Sequence, residues 1–198
     1  MLCGFPDFKI LGEASDGKTA VQIIKKLKPD VVLLDLKLPD ISGLEVTKKL
    51  LRIDPDIKIL IVTAATNNLF PFRLLKAGAK GYLTKSDEKS DLIQAIQNIY
   101  EGQHYLSTEV ANKLALSKID CNRKSNFDLL TDKELEIMHI IIQGQEVKDI
   151  AAIMNLSPKT IHTYRGRIGA KLKVKNNVDL VFKAIEEGIV TIAHLDKL

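Results

Sequence analysis

Three polar residues stand at the ends of apolar, strand-like segments in the first half of the chain. Asp35 ends the run VVLLD, and Thr63 and Lys85 end two later runs in the same way. In open parallel sheets the carboxyl ends of the strands line one ligand crevice. A carboxylate nucleophile, a hydroxyl and an ammonium at this edge suit the transfer of a phosphoryl group to the carboxylate. Each residue taken singly is more often a strand-end cap or solvent contact, but the three together favour this chemistry.

A second feature with a chemical meaning is a cationic run in the last third of the chain. Residues 156–178 contain six basic side chains and no acidic one. These are Lys159, Arg165, Arg167, Lys171, Lys173 and Lys175, with His162 among them. A local cationic stretch indicates a polyanionic partner, although such a run taken alone is more often a solvated helix face.

The strand-end residues need a parallel sheet to bring them together, and the first half of the chain predicts one. Segments 8–12, 31–36, 57–63 and 81–84 have the apolar composition of buried strands. Helical spacing of apolar residues separates them, as in Leu92, Ala95, Ile96 and Ile99. Strands alternating with helices predict an α/β fold whose parallel sheet is covered on both faces.

The cationic run lies in a part of the chain that reads as all-helical. Thr131 and Glu134 have the spacing of a capping box at the start of one helix. Further helices are predicted over 147–154, 158–172 and about 178–187. Asn155 tolerates a left-handed turn, and Ser157 followed by Pro158 provides an N-cap and a first-turn proline. This pattern predicts a helix-turn-helix whose second helix presents polar side chains to a DNA major groove.

Between these two parts, the periodic pattern decays into a polar stretch. We therefore predict an α/β domain over residues 1–103, a linker over 104–126 and a helix-turn-helix domain over 127–192. The composition, with 45% hydrophobic and 27% charged residues, is that of an ordinary globular protein. Residues 1–9 lack the pattern of a secretory signal, and two distant cysteines, Cys3 and Cys121, fit reduced thiols, so a cytoplasmic location is expected.

The helical part resembles the LuxR-type DNA-binding domain of the NarL/FixJ response regulators over residues 129–192. The resemblance rests on LTDKE, the pair Ile150-Ala151, SPKTIHTY and a trailing GI, and the SPKT element is most similar to the GacA/UvrY branch. It implies that Lys159, His162 and Thr163 face bases or adjacent phosphates, that Thr160 belongs to the same DNA-binding set, and that four further residues anchor the DNA backbone. Those four are Tyr164, Arg165, Arg167 and Lys171. It also implies a homodimer through the last helix, about 177–187, on two-fold DNA sites. For His162 the alternative is a surface bystander.

The first part resembles the receiver domain of response regulators, a flavodoxin-like parallel sheet. The matching pieces are VVLLDLKLPDISGLE, ILIVTAA and AGAKGYLTKS. The resemblance implies that Asp35 accepts a phosphoryl group from a sensor histidine kinase and that Thr63 and Lys85 contact this group. It also implies that Mg²⁺ is the cofactor and that Tyr82 is the aromatic switch, whose alternative is a plain packed aromatic.

The sequence departs from the receiver pattern before Asp35. GFPDFKILGEASDG matches the end of the first helix and the second strand, so a first strand and most of a first helix are missing, and no acidic pair precedes Asp35. Asp35 and the carbonyl of Lys37 are then left to hold Mg²⁺, and we expect weak binding and slow or absent phosphorylation. A misassigned start or truncated gene is favoured over a degenerate receiver that works without phosphate.

Three functions follow from these patterns. The first is a DNA-binding response regulator controlled by phosphorylation of Asp35, and the second is a DNA-binding regulator independent of phosphorylation. The third is an interaction module that titrates a kinase or partner regulator without using DNA. A conventional enzyme is not expected, because no nucleophile triad, P-loop or zinc spacing is present.

Overall fold

The computed structural model of the protein describes residues 8–64, 69–119, 126–187 and 189–190. The chain divides into two compact units, Met1–Leu116 and Ser117–Leu198. The first contains a parallel sheet and helices and the second is helical, so the predicted fold classes are confirmed. Cys3 and Cys121, whose thiols were predicted to be reduced, lie outside the described residues.

The sheet of the first unit has four parallel strands in the order β1-β2-β3-β4. They are β1 (Val31–Leu34), β2 (Lys58–Thr63), β3 (Gly81–Thr84) and β4 (Tyr105–Leu106). The register places Leu34 opposite Ile61 and Thr63 opposite Thr84. The carboxyl ends of β1, β2 and β3 therefore lie at one edge of the sheet, as the strand-end residues require.

The described part of this unit has five helices. They are α1 (Gly17–Leu27), α2 (Gly43–Ile53), α3 (Leu69–Ala77), α4 (Lys89–Tyr100) and α5 (Thr108–Ile119). The predicted apolar stripe of α4 packs on Leu60 and Leu83 of the sheet to form a buried cluster. Each buried side chain of this size stabilises the fold by roughly 1.5–3 kcal/mol. Helix α1 packs on α2, and α2 packs on α3.

The prediction of a strand over residues 8–12 is wrong. Residues 8–14 form neither strand nor helix, and in the described part of the chain β1 pairs with β2 alone. A strand exists only through hydrogen bonds to a partner strand, so an apolar segment without one stays irregular. Ile10 and Leu11 are 45% and 42% exposed, whereas Phe8 packs against the α4 cluster.

The range predicted as a linker, 104–126, contains two regular elements. β4 joins the sheet edge by pairing Tyr105 with Gly81 and Leu106 with Tyr82, and α5 follows directly. A two-residue strand has no periodic pattern of its own, because only the neighbouring strand creates it. Residues 120–125, the most polar part of the range, lie outside the described residues.

The second unit contains the predicted helix-turn-helix. After a short 3-10 helix at Asn126–Leu129 come α6 (Asp132–Ile142), α7 (Val147–Met154), α8 (Pro158–Leu172) and α9 (Asn177–Glu186). The turn between α7 and α8 is made by Asn155, whose φ of 51° is left-handed, and α8 begins where the Ser157 hydroxyl accepts from the Thr160 amide. Helices α6 and α7 both pack on α8, so α8 is held from two sides.

Candidate functional site

The three strand-end residues meet at the edge of the sheet, as predicted. The Lys85 ammonium donates to Asp35 Oδ2 at 2.6 Å, across 50 residues of sequence. The backbone amide of Lys85 donates to the carbonyl of Thr63 at 2.9 Å, which extends the β2–β3 pairing by one bond. The parallel register therefore brings a carboxylate, a hydroxyl-bearing residue and an ammonium into one crevice.

The carboxylate of Asp35 is held in its ionised form. Burial acts to raise its pKa, but hydrogen bonds from the Lys85 ammonium, the Lys37 amide at 3.1 Å and the Thr63 hydroxyl outweigh it and lower the pKa below the ordinary 3.8. The side chain of Asp35 keeps 28% of its surface exposed. An ionised and accessible carboxylate is the state that a phosphoryl acceptor requires.

A glycine fixes the distance between this site and helix α2. A Cβ on Gly43 would lie 2.4 Å from the backbone oxygen of Asp35 and 2.8 Å from Cα of Leu36. The Gly43 amide donates to the Leu36 carbonyl at 3.0 Å. Only a residue without a side chain lets α2 begin this close to the end of β1.

Asp40 ties the loop after β1 to helix α1. Its two carboxylate oxygens accept from the backbone amides of Gly17 at 2.7 Å and Lys18 at 2.9 Å. Partial burial acts to raise the pKa of Asp40, but these bonds and one from the Ile41 amide lower it. The first amides of a helix have no partner within the helix, so this carboxylate satisfies two of them from 23 residues away. Sequence patterns did not identify this role, because the contact is not local.

Tyr82, the predicted switch residue, lies in β3 with 1% of its surface exposed. Burial, with a smaller effect from the negative charge of Asp35, raises the pKa of its phenol. Strand β4 ends beside it, since Leu106 pairs with Tyr82 and the amide of Ser107, the residue after β4, donates to the Tyr82 carbonyl at 3.3 Å. The aromatic side chain is thus buried, and the charge of Asp35 contributes to the rise in the pKa of its phenol.

Receiver domains bind Mg²⁺ for phosphorylation, and the residues around Asp35 can be tested against that ion. In the described ranges no group of three or more His, Cys, Asp or Glu side chains could hold a metal. Mg²⁺ requires a near-octahedral set of oxygen ligands. The candidate ligand Asp35 is already bonded to Lys85, and without a cluster of ligating side chains the described residues do not fit a tight Mg²⁺ site.

Helix α8 has one buried face and one exposed face, and the residues predicted to face bases lie on the exposed one. Ile161, Ile168 and Leu172 are buried against the other helices. The opposite face is exposed and consists of Lys159, His162, Thr163, Gly166, Arg167 and Ala170. The exposed face contains the predicted base-facing residues and no acidic side chain, as a surface that meets DNA requires.

The other members of the predicted set make contacts within the unit. Arg165 donates to Asn177 Oδ1 at 2.9 Å, which links α8 to the first turn of α9. Thr160 takes part in the N-cap through its 2.8 Å contact with the Ser157 hydroxyl. The Arg167 guanidinium lies 5.8 Å from the ring centre of Tyr164, within cation–π range.

Lys171 has a partner that sequence reasoning missed. Its ammonium donates to Glu134 Oε2 at 2.6 Å, and the same oxygen accepts from the backbone amide and hydroxyl of Thr131 at 2.7 and 3.0 Å. Glu134 was identified as half of a capping box, which the structure confirms. Glu134 is only 3% exposed, and a buried carboxylate needs a cation as a partner. No local sequence pattern indicates which cation that is.

Fold and sites together define a protein with two parts, an α/β unit with an ionised aspartate at its sheet edge and a unit with a helix-turn-helix. Residues 4–97 match the family model of the response regulator receiver domain. Residues 128–184 match that of bacterial regulatory proteins of the luxR family.

Similar proteins support both halves at once. The response regulator GacA of Pseudomonas aeruginosa is 41% identical over 194 residues, which is 98% of this chain and 91% of that protein. The response regulator UvrY of Escherichia coli is 41% identical over 91% of this chain and 84% of that protein. A solved structure of the RcsB response regulator of Salmonella typhimurium has a TM-score of 0.68 at 25% identity, covering 92% of this chain and 86% of that one.

The chain therefore belongs to the two-component response regulators that carry a receiver domain and a LuxR-type DNA-binding domain. It is a DNA-binding transcription regulator and not an enzyme, as predicted. Among the helices of the described residues, none is both long and apolar enough to cross a membrane.

Proposed function

We propose that Asp35 accepts a phosphoryl group from a sensor histidine kinase, with Lys85 and Thr63 as the groups that contact it. The observation that supports this is the ionised Asp35 carboxylate, 2.6 Å from the Lys85 ammonium at the sheet edge. A carboxylate oxygen would attack phosphorus while the phosphorus–nitrogen bond of a phosphohistidine breaks. The Lys85 ammonium would then be able to turn from the carboxylate to a phosphoryl oxygen.

We assign to Tyr82 the role of the aromatic switch that responds to phosphorylation of Asp35. A phosphoryl group on Asp35 would add negative charge beside a phenol whose pKa that aspartate already affects. The addition would also remove Lys85 from its present partner. If Tyr82 repacked, the added charge and the loss of the Lys85 bond would both affect β4, which pairs with Tyr82 and is followed at Ser107 by helix α5.

The test is phosphorylation of the intact chain by acetyl phosphate, followed by its mass, with and without Mg²⁺. We expect one added phosphoryl group that is absent from Asp35→Ala and present in Asp30→Asn, which removes an exposed acid elsewhere. Because the described residues around Asp35 do not form a cluster of Mg²⁺ ligands, we expect phosphorylation to be slow and to depend only weakly on Mg²⁺. An unmodified wild-type chain under all these conditions would contradict the proposal.

A second candidate is a regulator that binds DNA without phosphorylation. The observation that favours it is that the Lys85 ammonium already balances the charge of the ionised Asp35, and that the described residues hold no group of three or more metal-ligating side chains. Promoter output separates the two: Asp35→Ala changes it under the first proposal and leaves it unaltered under the second.

For DNA, we propose that the exposed face of α8 enters the major groove, with Lys159, His162 and Thr163 nearest the bases and Arg167 at the backbone. The RcsB regulator of Salmonella enterica has been solved bound to the rprA promoter, with a TM-score of 0.62 to this chain at 25% identity. Arg165, Thr160 and Tyr164 then act from the flanks of the helix, and Lys171 mainly holds α8 in place. A protein that acts on promoters would work in the cytoplasm.

We further propose that the protein dimerises through α9. Val178 and Phe182, one turn apart on this helix, are 62% and 63% exposed. An exposed valine and phenylalanine on one helix face suit burial against the same face of a second copy, in a two-fold arrangement. Sedimentation of Phe182→Ser should show loss of the dimer while the helical content is unchanged.

A further inference from the structure

The exposed face of α8 contains one residue without a side chain. Gly166 lies near the middle of the helix, and a Cβ placed on it would meet no atom within 4 Å apart from its chain neighbours and the adjacent helix backbone. It is not among the glycines with positive φ, which are Gly78, Gly102 and Gly144. Neither packing nor backbone conformation in this unit therefore requires glycine, although glycine is the poorest residue after proline for a helix interior.

The position of Gly166 matters because of what precedes it on the same face. Lys159, His162, Thr163 and Gly166 follow the i, i+3, i+4, i+7 spacing of one helix stripe. At a rise of 1.5 Å per residue, Gly166 lies about 10 Å along the axis from Lys159. This distance corresponds to roughly three base-pair steps along a DNA strand.

The neighbouring side chains do not fill the position. Arg165 is turned to α9, where it donates to Asn177 Oδ1 at 2.9 Å. Arg167 lies against the ring of Tyr164, one turn back along the helix. The first three positions of the stripe thus carry hydrogen-bonding side chains, and the fourth position, Gly166, carries none.

We infer that Gly166 is a specificity-determining position, where the missing side chain leaves one base pair of each half-site unread. This inference rests on the proposed function, in which the exposed face of α8 enters the major groove. Direct readout needs a side chain that reaches a base edge. The protein should specify the base pairs opposite Lys159, His162 and Thr163 and accept any base pair opposite Gly166.

The experiment selects binding sites for the full-length chain from duplexes with about 20 randomised base pairs, two helical turns. Gly166→Lys should gain a preference of roughly 5- to 100-fold at one base pair that the wild type leaves unspecified. Gln145→Lys adds the same charge in the exposed turn before α7, and should gain no such preference. Gly166→Ala, whose methyl group cannot hydrogen-bond to a base edge, should gain no preference comparable to that of Gly166→Lys, while the melting temperature of the DNA-binding unit rises by roughly 3–8 °C.

Two results would overturn the inference. If Gly166→Ala lowers affinity by about tenfold or more, the helix backbone itself approaches DNA at this point. If Gly166→Lys matches Gln145→Lys, the position does not face bases. If the exposed face of α8 does not enter the major groove, the result is different. The wild type then selects no binding sites, and Lys159→Ala leaves its DNA affinity unchanged.

Discussion

Replacement of Lys171 by methionine tests what holds the DNA-binding helix in place. Methionine keeps a long apolar side chain on α8 and removes only the ammonium that bonds to Glu134. Glu134 is 3% exposed, and after the change its carboxylate keeps the amide and hydroxyl of Thr131 as donors. The change therefore leaves a buried charge with two of its three bonds.

The expected loss of stability follows from the environment of the Lys171–Glu134 ion pair. A hydrogen bond to a charged group contributes about 1.5–3 kcal/mol. The Lys171 side chain is 34% exposed, so solvent screens part of the attraction, and a loss of about 2 kcal/mol is the reasonable value. For a unit of this length the loss corresponds to a fall in melting temperature of roughly 10 °C.

Calorimetry of the intact chain measures this loss as a shift of the transition of the C-terminal unit. Lys175→Met, which removes the same charge from an exposed position, is the matched control and should shift the transition little. In a double-mutant cycle with Glu134→Gln, the two changes should couple by about 1–2 kcal/mol. DNA binding adds a second readout, since loss of a phosphate contact reduces the salt slope by about 1 and loss of positioning does not.

A Lys171→Met variant that melts like the wild type and reduces the salt slope would refute a positioning role for Lys171. Lys171 would then be a phosphate contact, as the resemblance implied. The pH dependence gives an independent check. Burial acts to raise the pKa of Glu134, but bonds from Lys171 and Thr131 lower it below the ordinary 4.5. Its contribution to stability is complete above pH 4.5 and is lost as the pH falls through the folded-state pKa, so the difference between wild type and Glu134→Gln should shrink in acid.

Three further predictions concern the receiver unit. Gly43→Ala should destabilise it by about 1–3 kcal/mol and slow phosphorylation of Asp35, because the added Cβ lies 2.4 Å from a backbone oxygen; normal melting and phosphorylation would contradict this. Asp40→Ala should cost about 1–2 kcal/mol and speed amide exchange in the first turn of α1, and unchanged exchange would count against the cap. Ser107→Ala should raise the melting temperature, because the buried Ser107 hydroxyl has no hydrogen-bond partner among the described residues; a lower melting temperature would mean that this hydroxyl is bonded after all.

Local patterns predicted the parts of this protein whose causes are local. The capping box of Thr131 and Glu134 and the Ser157 cap before Pro158 fixed the starts of α6 and α8. Helices need only contacts three and four residues apart, so their stripes are visible in the sequence. The ends of the strands gave Asp35, Thr63 and Lys85, because a parallel sheet brings such ends to one edge.

The sequence alone therefore determined the two fold classes, the family and the sheet edge that carries Asp35, Thr63 and Lys85. Tertiary structure decided that Asp40 caps α1, that Lys171 bonds to Glu134, and that residues 8–12 form no strand. These features depend on partners tens of residues away or on a neighbouring strand, and propensity and spacing carry no information about either. A strand, a distant cap and a buried ion pair each exist only when the folded chain brings the second group into reach.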